Sequence, residues 1–199
     1  MTTYTIPCET FARLARLLDA TDSNDPWVNS IRLESNLAIV TSRTMLAVER
    51  LPVTNDDAPI HIVTSPDLVT ACAGEASFNG SLEVVVNDAL RWASAKTTFG
   101  FQLPTNATVW SDVPNPLDRW RSIVPSDAPT KSKGSLCLWT DQLQHLVAAS
   151  PSHQIVFPAV IDWTVPVLIR DAVDENWFAV FYVRKSDNPH KPAIKPEWL

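Results

Sequence analysis

A chain of 199 residues with 45% hydrophobic and 19% charged content is long enough to bury its own core, as one compact domain or two small ones. Sixteen basic residues against twenty-two acidic ones, a net charge of −6, exclude a protein that coats nucleic acid with its whole surface, so any contact with DNA must be local. No run of about 18 apolar residues is present, which excludes a membrane-spanning helix, and the opening Met-Thr-Thr-Tyr-Thr-Ile-Pro-Cys has no basic or apolar leader, so the expected location is the cytoplasm.

In chain order, Tyr4 to Pro7 is a first strand. In residues 9 to 20, Phe11, Leu14, Ala15 and Leu18 recur at helical spacing and predict an amphipathic helix, with Arg13 and Arg16 pointing away from its apolar stripe. Three strand-like runs follow, Val28 to Glu34, Leu37 to Thr41 and Met45 to Leu51, and their short connections predict a meander. The order then recurs. Ile60 to Val63 is a strand, and Ser65-Pro66-Asp67 opens a helix carrying Leu68, Val69 and Cys72, with Ser65 as N-cap and Pro66 at the first helical position. Leu82 to Val86, Leu90 to Ala95 and Thr98 to Leu103 are its strands.

Residues 105 to 134 break the rhythm. Pro114, Pro116, Pro125 and Pro129, with Asp118, Arg119, Arg121, Lys131 and Lys133, predict a linker whose length favours a domain boundary. A third copy comes after it: a strand over Leu136 to Trp139, a helix capped by Thr140-Asp141 with Leu143, Leu146 and Val147 on one face, and strands over Gln154 to Ile161, Val165 to Ile169 and Trp177 to Val183. The expected organisation is therefore two βαβββ units in residues 1–104, a linker or degraded unit in 105–134, a terminal unit in 135–185 and an extended tail in 186–199 ending Pro-Glu-Trp-Leu.

The common catalytic and metal motifs are absent: no Gly-rich phosphate loop, no Gly-x-Ser-x-Gly, no His-Glu-x-x-His, no Cys-x-x-Cys. The histidines at 61, 145, 153 and 190 are scattered, and the pairs Asp56-Asp57 and Asp174-Glu175 fall where turns between strands are expected, a setting that suits acidic residues. Cys8, Cys72 and Cys137 lie far apart in apolar stretches and read as small buried hydrophobes rather than disulfides or metal ligands. No enzyme, cofactor or metal is expected; the architecture suits binding. A catalytic set assembled in space from distant residues is the open alternative.

Three stretches give this repeat a family likeness. They are Leu37-Ala38-Ile39-Val40-Thr41-Ser42-Arg43-Thr44-Met45-Leu46-Ala47-Val48-Glu49-Arg50; Phe99-Gly100-Phe101-Gln102-Leu103-Pro104 followed by Asn115-Pro116-Leu117-Asp118-Arg119-Trp120-Arg121; and Ser135 to Lys185. Together with the repeat they resemble the DNA sliding-clamp family, bacterial β-clamps in particular. The first is similar to the family's first hairpin, with Ser42-Arg43 where a Thr-Asp pair is usual. The second is similar to the strand and Phe-Pro-x-Leu-x-x-Trp-like segment that closes a clamp's first domain. The third looks like a clamp's terminal unit, with Phe181-Tyr182-Val183-Arg184 in place of a Met-Pro-x-Arg end.

The resemblance implies an α+β clamp fold of repeated βαβββ units, with antiparallel sheets outside and helices on the other face. It also implies a homo-oligomeric ring around duplex DNA that tethers a DNA polymerase or another replication protein. Contacts in such a hole are to phosphates and need Lys or Arg. Arg13 and Arg16, one helical turn apart, are the first candidates, and Lys96, Arg119, Arg121, Lys131 and Lys133 could add grip from strand ends and the linker. A solvated charged surface is the alternative for all of them. Carry-over from the family's peptide groove falls on Pro166, Val167, Val180 and Tyr182, for which core packing is the alternative, while Trp198 and Leu199 give the tail the form of a docking peptide. Family rings hold twelve units. Three units per chain would need four chains, and a degraded fourth within 105–134 would permit a trimer. A compact version of this kind would suit a phage or mobile element. The other reading is a clamp-fold adaptor or inhibitor of replication proteins that does not encircle DNA.

Overall fold

The computed structural model describes residues 2–18, 29–42, 45–87, 92–100, 102–105, 116–125, 140–158 and 166–181. Strand β1 (Thr2–Pro7) runs directly into α1 (Cys8–Leu14), which tightens into a 3-10 turn over Ala15–Leu17. Cys8, Phe11 and Leu14 are wholly buried, and each large side chain removed from water in this way contributes about 1.5–3 kcal/mol. The helix is shorter than the expected run from 9 to 20, because Leu18 is already extended (φ −77, ψ 134).

Two expected strand boundaries are absent. Leu37 to Thr41 and most of Val28 to Glu34 form a single strand, β2 (Ser30–Thr41); Met45 to Leu51 and Ile60 to Val63 both belong to β3 (Met45–Val63). What reads as a boundary is a slip in the ladder: Ser35 adopts φ 54, and the β2–β3 register shifts on either side of it. The Asn55 side chain repairs the slip. It accepts from the Thr5 amide at 2.9 Å and donates to the Ser35 carbonyl at 3.3 Å, satisfying backbone groups that the ladder leaves open and tying β1 to β3. Asp56-Asp57, expected in a turn, therefore lie within the span of β3.

Helix α2 (Pro66–Ala76) starts as expected, with Ser65 Oγ accepting from the Leu68 amide at 3.2 Å and Pro66 in the first turn. Strands β4 (Ser81–Asn87), β5 (Trp92–Thr97) and β6 (Gln102–Thr105) follow, and β4 alternates strictly, burying Leu82, Val84 and Val86. Within the stretch read as a linker, Pro116–Ile123 forms a 3-10 helix. The rest is α3 (Thr140–Ala149), β7 (Ile155–Val156), β8 (Val167–Asp171) and β9 (Trp177–Phe181). The expected strand over 136–139, with Cys137, and residues 159–161 lie outside the described residues.

Among the described residues the strands form two antiparallel sheets, ordered β1-β4-β5-β6 and β2-β3-β9-β8-β7. The repeats interleave: β9 pairs with the first part of β3, from Met45↔Phe181 to Glu49↔Trp177. The main core lies between the sheets and the helices, with Phe11, Leu33, Ile62, Leu68, Val84 and Trp177 in one cluster. Period-two alternation sends Ala38, Val40 and Ala47 into that core and Ile39, Leu46 and Val48 to the opposite side of the sheet, where Trp120 covers them.

The last unit is fastened by a carboxylate. Asp171, at the end of β8, accepts from the Ser150 and Ser152 hydroxyls and from the amides of Ser152, Val173 and Asp174, joining the turn after α3 to the turn after β8. Burial pushes its carboxyl up, but these hydrogen bonds outweigh burial and hold it well below the usual carboxylate range.

Candidate nucleic-acid and partner interfaces

Arg13, the first DNA candidate, does not point to solvent. It is 7% exposed, its Nη2 pairs with Glu49 Oε1 at 2.7 Å, and its Nη1 donates to the Ala149 carbonyl at 2.6 Å. Thr10 Oγ1 donates to the same carboxylate oxygen at 2.7 Å. The expectation of an outward Arg13 is thus corrected: α1 is covered on that side by the end of α3, and the guanidinium spans α1, β3 and α3. Arg13 Nε and Glu49 Oε2 have no partner among the described residues, so the lock is dry and incompletely satisfied.

Arg16 does reach solvent. It borders an open depression of about 460 Å³ with Leu143, Gln144, Val147, Ala148 and His153, a mostly apolar floor without a carboxylate. His153 sits at φ 57 and its Nδ1 lies 3.2 Å from the Val147 carbonyl. Across α1 with its 3-10 extension, α2 and α3, the exposed charged side chains are Glu9, Arg16, Asp67 and Asp141. Three carboxylates to one guanidinium make this side acidic.

The remaining described candidates, Lys96 and Arg121, lie on the other side of the sheets. Lys96 faces away from the core and pairs with its cross-strand neighbour Glu83 at 2.8 Å. Arg121 stands over the Trp120 ring, 4.4 Å from its centroid, and pairs with Glu34 Oε1 at 2.6 Å. Burial pushes the Glu34 carboxyl up, but the guanidiniums of Arg121 and Arg32 prevail and lower it. Arg13, Arg16, Lys96 and Arg121 are therefore not brought together on one surface. The side chain of Arg119, and Lys131 and Lys133, lie outside the described residues.

The groove candidates separate in the same way. Val167 belongs to the main core and Val180 to the cluster beneath Trp120, so the two sit on opposite faces of one sheet and cannot line a groove together; Pro166 is half-buried just before β8. Tyr182, Trp198 and Leu199 lie outside the described residues. Sequence reasoning missed Glu49, whose partners are remote in sequence, and Trp120 as an anchor, although the Trp of the second stretch had been singled out.

No group of three or more His, Cys, Asp or Glu able to hold a metal is found among the described residues, and no helix there is long and apolar enough to cross a membrane. His61 is 2% exposed, with Ser30 Oγ and Arg32 Nη1 each 3.3 Å from a ring nitrogen, a structural setting.

No family model and no curated protein matches the sequence. Solved structures match in fold. The DNA polymerase sliding clamp of Pseudomonas aeruginosa superposes with a TM-score of 0.60 at 10% identity, covering 93% of this chain and 66% of that one. The DNA polymerase III β subunit of Thermotoga maritima gives 0.58 at 11% identity over 94% and 66%, and the DNA polymerase sliding clamp of Bacillus subtilis 0.59 at 11% identity over 92% and 64%. This chain spans less than two thirds of the length of each. Interleaved β-α-β repeats, antiparallel sheets and helices on the core side give the chain the α+β fold of the DNA sliding clamps.

Proposed function

We propose that the chain is a non-catalytic, cytoplasmic, sliding-clamp-like processivity factor. Copies of it assemble into a ring around duplex DNA and tether a DNA polymerase or another replication protein. The observation that carries this is the clamp fold, which runs over 93% of the chain. With units in 1–104 and 135–185, closure takes three or four copies, depending on whether 105–134 supplies a fourth unit. Arg16 is the phosphate contact this reading favours on the helix side, and Arg119, Lys131 and Lys133 are further candidates. With so few cations the hold on DNA is weak, non-specific and lost at moderate salt.

A second reading, a clamp-fold adaptor or inhibitor of replication proteins that does not encircle DNA, is favoured by the acidic helix side, where Glu9, Asp67 and Asp141 outnumber Arg16. The two differ in topology. The chain is diluted to dissociate it, mixed with a linear duplex carrying streptavidin at both ends, and concentrated so that rings close around the DNA. Encirclement predicts retention on the blocked duplex and loss from the same duplex with open ends. Equal retention on both, or none on either, would contradict encirclement and favour the adaptor.

A further inference from the structure

Helices α1 and α2 meet in the main core, and each brings one cysteine to the contact. Cys8 is the first residue of α1, and its amide donates to the Gly80 carbonyl at 2.8 Å, which fixes the start of that helix against the turn after α2. Cys72 lies one helical turn after Leu68 on the buried side of α2. Both side chains are wholly buried in the cluster that holds Phe11, Leu68 and Leu82, and both are free thiols.

The two thiols are neighbours in space and hydrogen-bond to one another. That hydrogen bond lowers the Cys8 thiol, against burial and the Glu75 carboxylate, while the same contact, burial and Glu75 together raise that of Cys72. Cys8 is thus the sulfur nearer to a thiolate, and Cys72 keeps its proton. This is the division of roles between an attacking and a resolving cysteine. Neither group has a part in the clamp reading.

We infer that Cys8 and Cys72 form a peroxide-sensitive modification site, which closes to an intramolecular disulfide and staples α1 to α2. The Cys8 thiolate attacks one oxygen of hydrogen peroxide; the O–O bond breaks, and hydroxide leaves and is protonated to water. Cys8 is then a sulfenic acid. The Cys72 sulfur attacks the Cys8 sulfur, the S–O bond breaks, and the hydroxyl departs with the Cys72 proton as a second water. The sulfurs are oxidised and the peroxide oxygens reduced by two electrons in all, and a dithiol restores both thiols by exchange. The new bond closes the loop from 8 to 72 and constrains the unfolded chain.

The test applies hydrogen peroxide to the folded full chain, followed by denaturation in a thiol alkylator and tryptic digestion. Cleavage separates the three cysteines into fragments 1–13, 51–91 and 134–170. The expected product is a link between 1–13 and 51–91, with a melting temperature raised by about 10 °C over the reduced chain, both reversed by dithiothreitol. The inference is overturned if both thiols are alkylated after a peroxide dose that exhausts those of the urea-unfolded chain, or if Cys8 is carried on to a sulfinic acid while Cys72 is still alkylated. A link that includes Cys137 or a second chain in place of this pair overturns it equally. So does a crosslinked chain that melts lower, because the helices would then have been forced from their native packing to make the bond.

Discussion

The two faces of the five-stranded sheet bury neighbouring residues of the same strands by different means. Inward, Ala38, Val40, Ala47 and Trp177 join a core closed by three helices and by a desolvated ion pair, Arg13 with Glu49, whose guanidinium also holds the last carbonyl turn of α3. Outward, Ile39, Leu46, Val48 and Val180 are covered by one indole on a 3-10 segment whose ion pair is open to water. The difference teaches that two equally buried faces of one sheet can be closed by quite different means. A desolvated charge pair is costly to break and fixes α1, β3 and α3 in one arrangement, whereas the pair beside the indole, Arg121 with Glu34, is screened by water and contributes little.

The largest expected effect breaks the inner face. Arg13→Met leaves Glu49 buried and uncompensated and should lower stability by about 3–5 kcal/mol in urea unfolding, while Arg13→Met with Glu49→Leu should recover most of that loss. If Arg13→Met were instead neutral for stability and weakened DNA retention, the guanidinium would be a surface group after all. Trp120→Ala, breaking the outer face, should cost about 2–3 kcal/mol, less than the ~3–5 kcal/mol typical of an aromatic removed from a closed core, and leave the transition cooperative.

Asp171 sharpens the comparison, because its carboxylate is fastened by neutral donors rather than by a cation. Its folded pKa is depressed, so its contribution is present in full above the ordinary carboxylate pKa and is lost as pH falls through the folded value. Asp171→Asn should cost about 1–3 kcal/mol at neutral pH, with the gap from the unsubstituted chain narrowing as acid unfolding is approached. Smallest of all, Arg16→Ala should change stability by no more than about 0.5 kcal/mol but reduce the salt slope of duplex binding by about 0.9.

Much of the fold was legible locally. The alternation of Leu82, Val84 and Val86, the Ser65 cap with Pro66 and the helical spacing of Phe11 and Leu14 are set by neighbours within a few residues, and the structure has each of them. The hairpin and terminal stretches also carried the clamp resemblance. What was not legible depends on distant partners. Ser35 and the segment from Pro52 to Pro59 look like turn signals, yet Asn55 bridges to β1 and lets β2 and β3 run on. Arg13 lies off the apolar stripe of its helix, but Glu49 and Ala149, 36 and 136 residues away, close over it. Val167 and Val180 alternate in separate strands, and only the pairing of β8 with β9 shows that they face opposite ways.

The central claim, a self-assembling clamp, is tested most directly by the solution mass of the chain from light scattering at low and high concentration. A stable species of three or four chains is the predicted result. A mass of one chain at every concentration would contradict the ring and leave the adaptor reading in its place.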